Sequence, residues 1–248
     1  MALREKFKKQ GNWLFKRRSY LPLLIFPFLI IALFNYEHLE SYLGKNFGDI
    51  YGVICIAISF LGLAIRAITI GYTPKGTSVR STDGQVADTL NTTGMYSVVR
   101  HPLYLGNFIT FLGMILFIQV WWFSIIGMLA FFIYYERIMY AEEAFLRKKF
   151  GKQYLEWAKE TPAFWPKFRN WKKPKLRFLF RSVLKREYSG FFTIIISFTM
   201  IEFLGNLISK SKFELDLNWI IFFSVGVIIY LTLRTINKTS KILHVEGR

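Results

Sequence analysis

Apolar residues in this chain fall in long uninterrupted blocks, a pattern typical of membrane proteins rather than of soluble domains. A helix needs roughly 20 mostly apolar residues to cross the ~30 Å hydrocarbon layer of a bilayer. Six stretches meet or approach that length, at about residues 20–36, 50–70, 103–118, 121–139, 191–208 and 219–236. The sequence therefore predicts an all-α integral membrane protein with about six transmembrane helices.

The ends of these blocks add two expectations. Only Gln119 and Val120 separate the third block from the fourth, which predicts a tight helical hairpin. Tyr36, Glu37 and His38 follow the first block, where a signal peptide would have small residues for cleavage. We therefore expect the first block to remain as a helix.

The formal net charge of +17 is concentrated on one side of the predicted helices. Of the 33 Lys and Arg residues, 27 lie at the ends that would face the cytoplasm, and three, Lys45, Lys210 and Lys212, lie on the other side. The positive-inside rule then predicts that both termini are cytoplasmic. Anionic lipid head groups beside the inner leaflet account for the same excess, so we expect them as partners and expect no nucleic acid.

Cysteine and histidine usage argues against a metal or disulfide framework. Cys55 is the single cysteine and lies in an apolar block, where packing explains it. The three histidines, His38, His101 and His244, are scattered along the chain. We therefore predict no metal site.

Two polar segments stand out between the blocks. The loop at 71–101 is far longer than the median connection of ~4–6 residues, and loops of this length are usually functional or disordered. Residues 141–170 continue the fourth block as a predicted amphipathic helix, which Gly151 interrupts and Pro162 and Pro166 end. Such a helix lies at a membrane surface or closes over a pocket.

The densest polar motif runs from Gly94 to Gly106. Pro102 suits the first turn of a helix, so the third helix should begin there, with His101 at its start and Arg100 just outside. The start of a helix offers free N–H groups to an anionic or lone-pair acceptor. Gly106, one turn later, allows a ligand or another backbone to approach closely.

A second charged cluster lies at the end of the fourth block and consists of Glu136, Arg137, Glu142 and Glu143. Adjacent helical residues point about 100° apart, so Glu142 and Glu143 cannot both face one pocket squarely. The predicted hairpin brings this cluster beside Arg100. Charges at this depth are paired or functional, and the residues alone leave open whether Glu136, Arg137 and Arg66 only neutralise one another.

The two clusters together resemble the isoprenylcysteine carboxyl methyltransferase and phospholipid methyltransferase superfamily. The resemblance covers residues 85–168, and its ordered signature consists of Tyr96, Arg100-His101-Pro102, Tyr104, Gly106, Glu142-Glu143, Phe145-Leu146, Phe150-Gly151, Tyr154 and Pro162. Arg-His-Pro alone is a weak signal, whereas the full set in this order is specific.

The resemblance implies a helical hairpin with a cytoplasmic pocket for S-adenosylmethionine, closed by the following helix. The cofactor-binding residues that it implies are Thr89, Leu90, Asn91, Tyr96, His101, Leu103, Tyr104, Glu142 and Glu143. The catalytic residues that it implies are Arg100, Arg137 and Glu142. Arg137 is the nearest match to an arginine that faces the acceptor in relatives, although its spacing to Glu142 is five rather than three or four.

On this reading three regions divide the chain. Residues 1–84 hold the N-terminal basic segment, two transmembrane helices and the start of the loop. Residues 85–170 form the methyltransferase core. Residues 171–248 hold a basic interfacial helix, predicted at 171–190, and a C-terminal transmembrane hairpin. The loop from 72 to 85 and the last hairpin fall outside the shared core and should carry substrate preference.

The expected acceptor is a lipid within the membrane, with no obligate protein partner. Arg66, Arg100 and Arg137 near one depth favour an anionic acceptor, because a guanidinium orients phosphate or carboxylate through paired hydrogen bonds. The stretch from Gly71 to Gly106 most resembles lipid A 1-phosphate methyltransferases, which implies the bacterial inner membrane.

Prenylcysteine carboxyl methylation and phosphatidylethanolamine N-methylation stay open as alternative reactions. An NADPH-dependent sterol-type membrane reductase and a non-enzymatic scaffold are alternatives from other classes.

Overall fold

All regular structure in the described part of the chain is helical. The computed structural model describes residues 2–18, 20–34, 44–74, 77, 85–210 and 213–245. The helices are α1 (Leu3–Lys16), α2 (Phe26–Phe34), α3 (Lys45–Gly71), α4 (Met95–Val98), α5 (Pro102–Phe117), α6 (Trp121–Glu160), α7 (Phe180–Lys210) and α8 (Leu217–Thr239). Most of the loop from 72 to 85, with Lys75 and Arg80, lies outside the described residues, as does Lys212.

Four helices, α3, α6, α7 and α8, are long and apolar enough to cross a membrane. The first and third predicted blocks form shorter apolar helices. Of these, α5 has 16 residues, and the first block forms a 3-10 turn at Leu21–Ile25 that continues into the nine-residue α2. The prediction of an all-α membrane protein is confirmed, and each predicted block is helical where it is described, with four helices of spanning length among the described residues.

Helix α5 packs along α3 more extensively than any other pair of helices does. The two backbones approach so closely that a Cβ atom at Gly106 would lie 2.7 Å from the carbonyl oxygen of Gly62. Ser59 donates to the carbonyl of Thr110 at 2.8 Å, and the hydroxyl of Thr110 donates back to the carbonyl of Ser59 at 3.1 Å. Gly106 therefore admits a neighbouring helix rather than a ligand.

Two apolar clusters form the core of the part of the chain that the structure describes. The larger one joins α2, α3, α5, α7 and the start of α6 and consists of Ala32, Leu33, Cys55, Ile115, Phe117, Ile118, Val120, Phe123, Ile194, Phe198 and Ile201. Cys55 is buried within it. The smaller cluster, which includes Val99, Leu105, Phe108, Phe131 and Phe164, packs the start of α5 against α6 and the segment that follows α6.

The long helix α6 extends well beyond its apolar half. Its 40 residues correspond to about 60 Å, twice the thickness of the hydrocarbon layer. Gly151 interrupts it with φ 52° and ψ −122°, a conformation that glycine adopts readily. The helix ends at Glu160, before Pro162. The amphipathic extension, its break at Gly151 and its end before Pro162 are as the sequence predicts, whereas the part of the predicted range at 161–167 is not helical.

The predicted basic helix at 171–190 is wrong in its first half. Residues 171–179 are not helical, and α7 begins at Phe180 and runs unbroken through the fifth apolar block. Lys172 instead accepts from Gly94 N at 2.8 Å and donates its own N–H to Ser97 at 2.9 Å. Pro174 has no N–H to donate to a helix and disfavours helical geometry in the residue before it.

Candidate functional site

The end of α6 folds back over the segment that leads into α5. The backbone N–H of Arg100 donates to the carbonyl of Pro162 at 2.8 Å, and that of His101 donates to Ala163 at 3.2 Å. The indole N–H of Trp157 donates to the carbonyl of Tyr96 at 3.0 Å. These bonds hold the start of α5 against the second half of α6 and bring the two predicted charged clusters together.

His101 lies between the two adjacent glutamates. Its Nε2 is 3.1 Å from Oε1 of Glu143, and its Nδ1 is 3.4 Å from Oε2 of Glu142. Burial of the ring, which is 6% exposed, opposes a positive charge, but the two carboxylates outweigh that effect and raise the pKa of His101 above its ordinary value. The imidazole thus holds both glutamates at fixed positions.

Arg100 has a structural role in this arrangement. Its Nε donates to Oε1 of Glu143 at 2.8 Å, and one terminal nitrogen donates to the carbonyls of Ala158 and Thr161 at 2.9 and 2.8 Å. The guanidinium therefore satisfies carbonyl groups that the end of α6 would otherwise leave unpaired. Arg100 also contributes to the cavity wall.

Glu142 presents its carboxylate to a cavity. The hydroxyl of Tyr104 donates to its Oε1 at 2.7 Å, and the side chain keeps 25% of its surface exposed. The ring of Tyr104 stacks on that of His101 with a centroid distance of 5.6 Å and lies 4.9 Å from that of Tyr135. An anionic group is thus held beside aromatic rings, which suits a cationic ligand.

The cavity has a volume of about 420 Å³. Every residue predicted to bind the cofactor lines it except Glu143, which contacts His101 and Arg100 instead. This follows from the 100° step between neighbours on a helix, which directs only Glu142 into the cavity. Further lining residues that bear on the chemistry are Arg18, Arg66, Asn107, Tyr135, Trp157 and Arg186.

A series of polar contacts continues from Tyr135 to α7. Asn107 donates to the hydroxyl of Tyr135 at 3.0 Å and accepts from Arg66 at 2.6 Å. Arg66 makes a bidentate pair with Glu187 at 2.8 and 2.7 Å. The sequence alternative that paired Arg66 with Glu136 and Arg137 is therefore wrong, because Arg66 is neutralised by a residue of α7.

Arg137 does not line the cavity. It donates to the adjacent Glu136 at 2.8 Å, and its guanidinium lies 3.6 Å from the ring centroid of Phe7 in α1. Five residues along a helix correspond to about 500°, so Arg137 is rotated by about 140° from Glu142 and faces another neighbour. The structure therefore corrects the expectation that Arg137 faces an acceptor in this cavity.

Sequence reasoning missed several lining residues. Asn107 is a polar side chain inside an apolar block and could have been noticed on that ground. Arg18 and Arg186 carried no such signal, because each is one of many basic residues in its segment. Within the described ranges, no group of three His, Cys, Asp or Glu side chains is placed to hold a metal ion.

Two curated proteins are similar to part of this chain. The cobalt-zinc-cadmium resistance protein CzcN of Cupriavidus metallidurans is 36% identical over 84 residues, which is 34% of this chain and 38% of that protein. The nickel-cobalt-cadmium resistance protein NccN of Alcaligenes xylosoxydans xylosoxydans is 29% identical over 112 residues, 45% of this chain and 52% of that protein. The chain thus spans about two fifths to half of these relatives. No solved structure matches it.

A family model described as phospholipid methyltransferase matches residues 47–153. That range contains nearly all of α3, the whole of α5 and most of α6, and it includes the site residues Arg66, His101, Tyr104 and Glu142. It begins earlier than the resemblance read from the sequence motifs and ends shortly after Gly151. Residues 47–153 thus match the phospholipid methyltransferase family, which lies within the isoprenylcysteine and phospholipid methyltransferase superfamily.

Proposed function

We propose that this protein transfers a methyl group from S-adenosylmethionine to an anionic lipid, with a lipid phosphate of the lipid A 1-phosphate type as the preferred acceptor. The observation that carries the proposal is the cavity that the Glu142 carboxylate and four arginines, Arg18, Arg66, Arg100 and Arg186, line at the end of apolar helices. Two of these arginines, Arg66 and Arg100, pair with Glu187 and Glu143. Such a cavity combines groups for a cationic donor with groups for an anionic acceptor.

The residues present fit S-adenosylmethionine. A volume of about 420 Å³ falls within the ~300–1,000 Å³ typical of small-molecule sites. Glu142 would hold the ammonium group at the amino-acid end of the cofactor, Asn91 offers amide hydrogen bonds, and Tyr96, Trp157 and Leu90 offer aromatic and apolar surface. When bound, S-adenosylmethionine supplies an electrophilic methyl group on a sulfonium.

The protein's own contribution is alignment. A phosphate or carboxylate oxygen is already nucleophilic, so no base is needed, and holding two reactants in line supplies up to roughly 7–11 kcal/mol of the barrier. Arginine side chains orient such a group through paired hydrogen bonds and offset its charge. Backbone hydrogen bonds from residues 162–172 fix the segment before α5, and with it the position of His101.

We propose that the cavity opens at the cytoplasmic face of a bacterial inner membrane. Support comes from the 27 Lys and Arg residues on that side of the predicted helices against three on the other. Both donor and acceptor would meet there, because the donor is water-soluble and the acceptor lies in the inner leaflet. Cysteine substitution at exposed Lys16 and at Asp216, followed by labelling in intact cells and in lysed cells, tests this orientation.

The assay of the purified protein in detergent separates the candidate acceptors. We expect tritium from methyl-labelled S-adenosylmethionine to enter lipid A in preference to phosphatidylethanolamine or a farnesylcysteine peptide. We also expect binding of S-adenosylmethionine and not of NADPH, which separates a methyltransferase from a reductase or a scaffold. Labelled phosphatidylethanolamine would instead indicate an amine acceptor, and His101 or Glu142 would then have to act as the base.

A contribution to metal tolerance is a second candidate function, because both curated relatives are named for metal resistance. A methylated phosphate carries less negative charge and therefore attracts divalent cations less strongly. We expect cells that express the wild-type protein to tolerate more cadmium than cells that express Glu142→Gln. Equal tolerance at equal expression would remove this second candidate.

A further inference from the structure

Helix α1 lies outside the family match, and yet its C-terminal end contributes to the cavity. Phe15, in its last turn, and Arg18, two residues after its end, both line the cavity. The guanidinium of Arg18 lies 4.0 Å from the centroid of the Phe15 ring and interacts electrostatically with Tyr104 and Tyr135. An element outside the family match therefore brings a cation to the site.

Three contacts hold α1 on α6. Gly11 faces α6 with no space for a side chain, since a Cβ atom there would overlap the carbonyl oxygen of Arg137 and lie 2.8 Å from Cβ of Ala141. The guanidinium of Arg137 lies 3.6 Å from the ring centroid of Phe7, and that ring meets Tyr140 edge to face at 5.9 Å. The position of Arg18 thus depends on close packing between α1 and α6.

The opposite side of α1 suits a membrane surface. Trp13 is 48% exposed, and the exposed Lys6, Lys9 and Lys16 lie on the same side of the helix, about 140–160° from Gly11 at 100° per residue. Helices that combine exposed apolar side chains with lysines lie at the level of lipid head groups. A lipid that approached α1 would bring its head group to the depth of Arg18.

We propose that Arg18 binds the anionic head group of the methyl acceptor, and that Gly11 and Arg137 are positioning residues that dock α1 so that Arg18 reaches the cavity. This inference rests on the proposed function and extends it. A guanidinium pairs with phosphate or carboxylate in a bidentate manner, which fixes orientation as well as charge. The Phe15 ring restricts where the Arg18 side chain can lie.

The first test compares Arg18→Gln with Lys16→Gln, a matched loss of one charge at an exposed position two residues away. With lipid A in detergent micelles as acceptor, we expect Arg18→Gln to raise KM for lipid A about tenfold and to leave the Kd for S-adenosylmethionine within about twofold. Arg18→Lys should recover part of the loss, because lysine retains charge without the bidentate geometry.

The second test concerns docking and compares Gly11→Leu with Asn12→Leu, the same new side chain on the exposed face of α1. Gly11→Leu should raise KM for lipid A as Arg18→Gln does, and the double variant should show no further rise. Asn12→Leu should behave as wild type. A normal KM in Gly11→Leu would overturn the positioning role of α1.

Direct binding separates this inference from the proposed function. Binding of lipid A and of phosphatidylcholine in nanodiscs is measured without any methyl donor. We expect Arg18→Gln to weaken the binding of lipid A about tenfold and to leave phosphatidylcholine unchanged. If Arg18→Gln weakens the binding of lipid A in this way but the wild-type protein transfers no methyl group, the proposed function is contradicted and this inference stands. Equal lipid A binding by Arg18→Gln and Lys16→Gln, or weaker S-adenosylmethionine binding by Arg18→Gln, would overturn the inference.

Discussion

Tyr104 and Glu142 are joined by a 2.7 Å hydrogen bond from the phenol to Oε1 of the carboxylate, although they lie on different helices and 38 residues apart. The other carboxylate oxygen lies 3.4 Å from Nδ1 of His101. Two residues from the start of α5 therefore hold the carboxylate in place. An ionised carboxylate has about four acceptor positions, so it retains capacity for a cationic ligand.

Glu142→Gln should weaken binding of S-adenosylmethionine about tenfold or more. The amide keeps an oxygen for Tyr104 but loses the charge, and hydrogen bonds to charged groups contribute roughly 1.5–3 kcal/mol. Tyr104→Phe should have a smaller effect of about threefold, since it removes one positioning bond and keeps the charge. Equilibrium dialysis with labelled S-adenosylmethionine measures both, and unchanged binding by Glu142→Gln would place Glu142 outside the cofactor site.

Arg100→Met should lower thermal stability rather than act only on chemistry. The change leaves the Glu143 carboxylate and the carbonyls of Ala158 and Thr161 without their partner. We expect a loss of about 2 kcal/mol, read as a lower unfolding midpoint in detergent. Arg147→Met, at an exposed position of α6, should change the midpoint little. Equal midpoints for the two variants would contradict the structural role of Arg100.

Gly113→Ala should destabilise the packing of α5 on α3. A Cβ atom there would overlap the carbonyl oxygen of Cys55 and Oγ of Ser59 and would lie 2.9 Å from the backbone nitrogen of Ser59. Such overpacking costs roughly 1–3 kcal/mol. The control is Gly127→Ala, where the nearest atoms are side-chain atoms of Ile115 and Phe111 at 3.4 Å. It should be tolerated, and similar unfolding midpoints for both variants would argue against the close approach of α3 and α5.

Protonation of His101 should link stability to pH. The folded protein raises the pKa of His101, so its stabilising contribution is fully present below the unfolded pKa of roughly 6.5 and is lost as pH rises through the folded pKa. As pH rises from about 6.5 through the folded pKa of His101, we expect the thermal unfolding midpoint of the wild-type protein to decrease. The midpoint of His101→Gln should decrease less over the same pH range. Parallel curves for the two proteins would show that His101 is not the group responsible.

The sequence by itself determined the helical elements of this protein. Block length predicted the apolar helices, Pro102 predicted the start of α5, and Gly151 and Pro162 predicted the break and the end of α6. These features depend on the backbone geometry of a few neighbouring residues and on the thickness of a bilayer, and both can be read from a linear pattern. The motif residues of the two charged clusters, in their order along the chain, were likewise sufficient to suggest the methyltransferase superfamily.

Only the tertiary structure decided which charges meet. It paired Arg66 with Glu187, 121 residues away, and turned Arg137 from the cavity toward α1. It also brought Arg18 to the cavity, a residue that nothing in its basic segment distinguishes. The physical reason is that the rotation of each helix and its contacts with other helices are set by packing between distant segments. Close approach at positions such as Gly11 and Gly106 selects one arrangement, and no local pattern in the sequence encodes it.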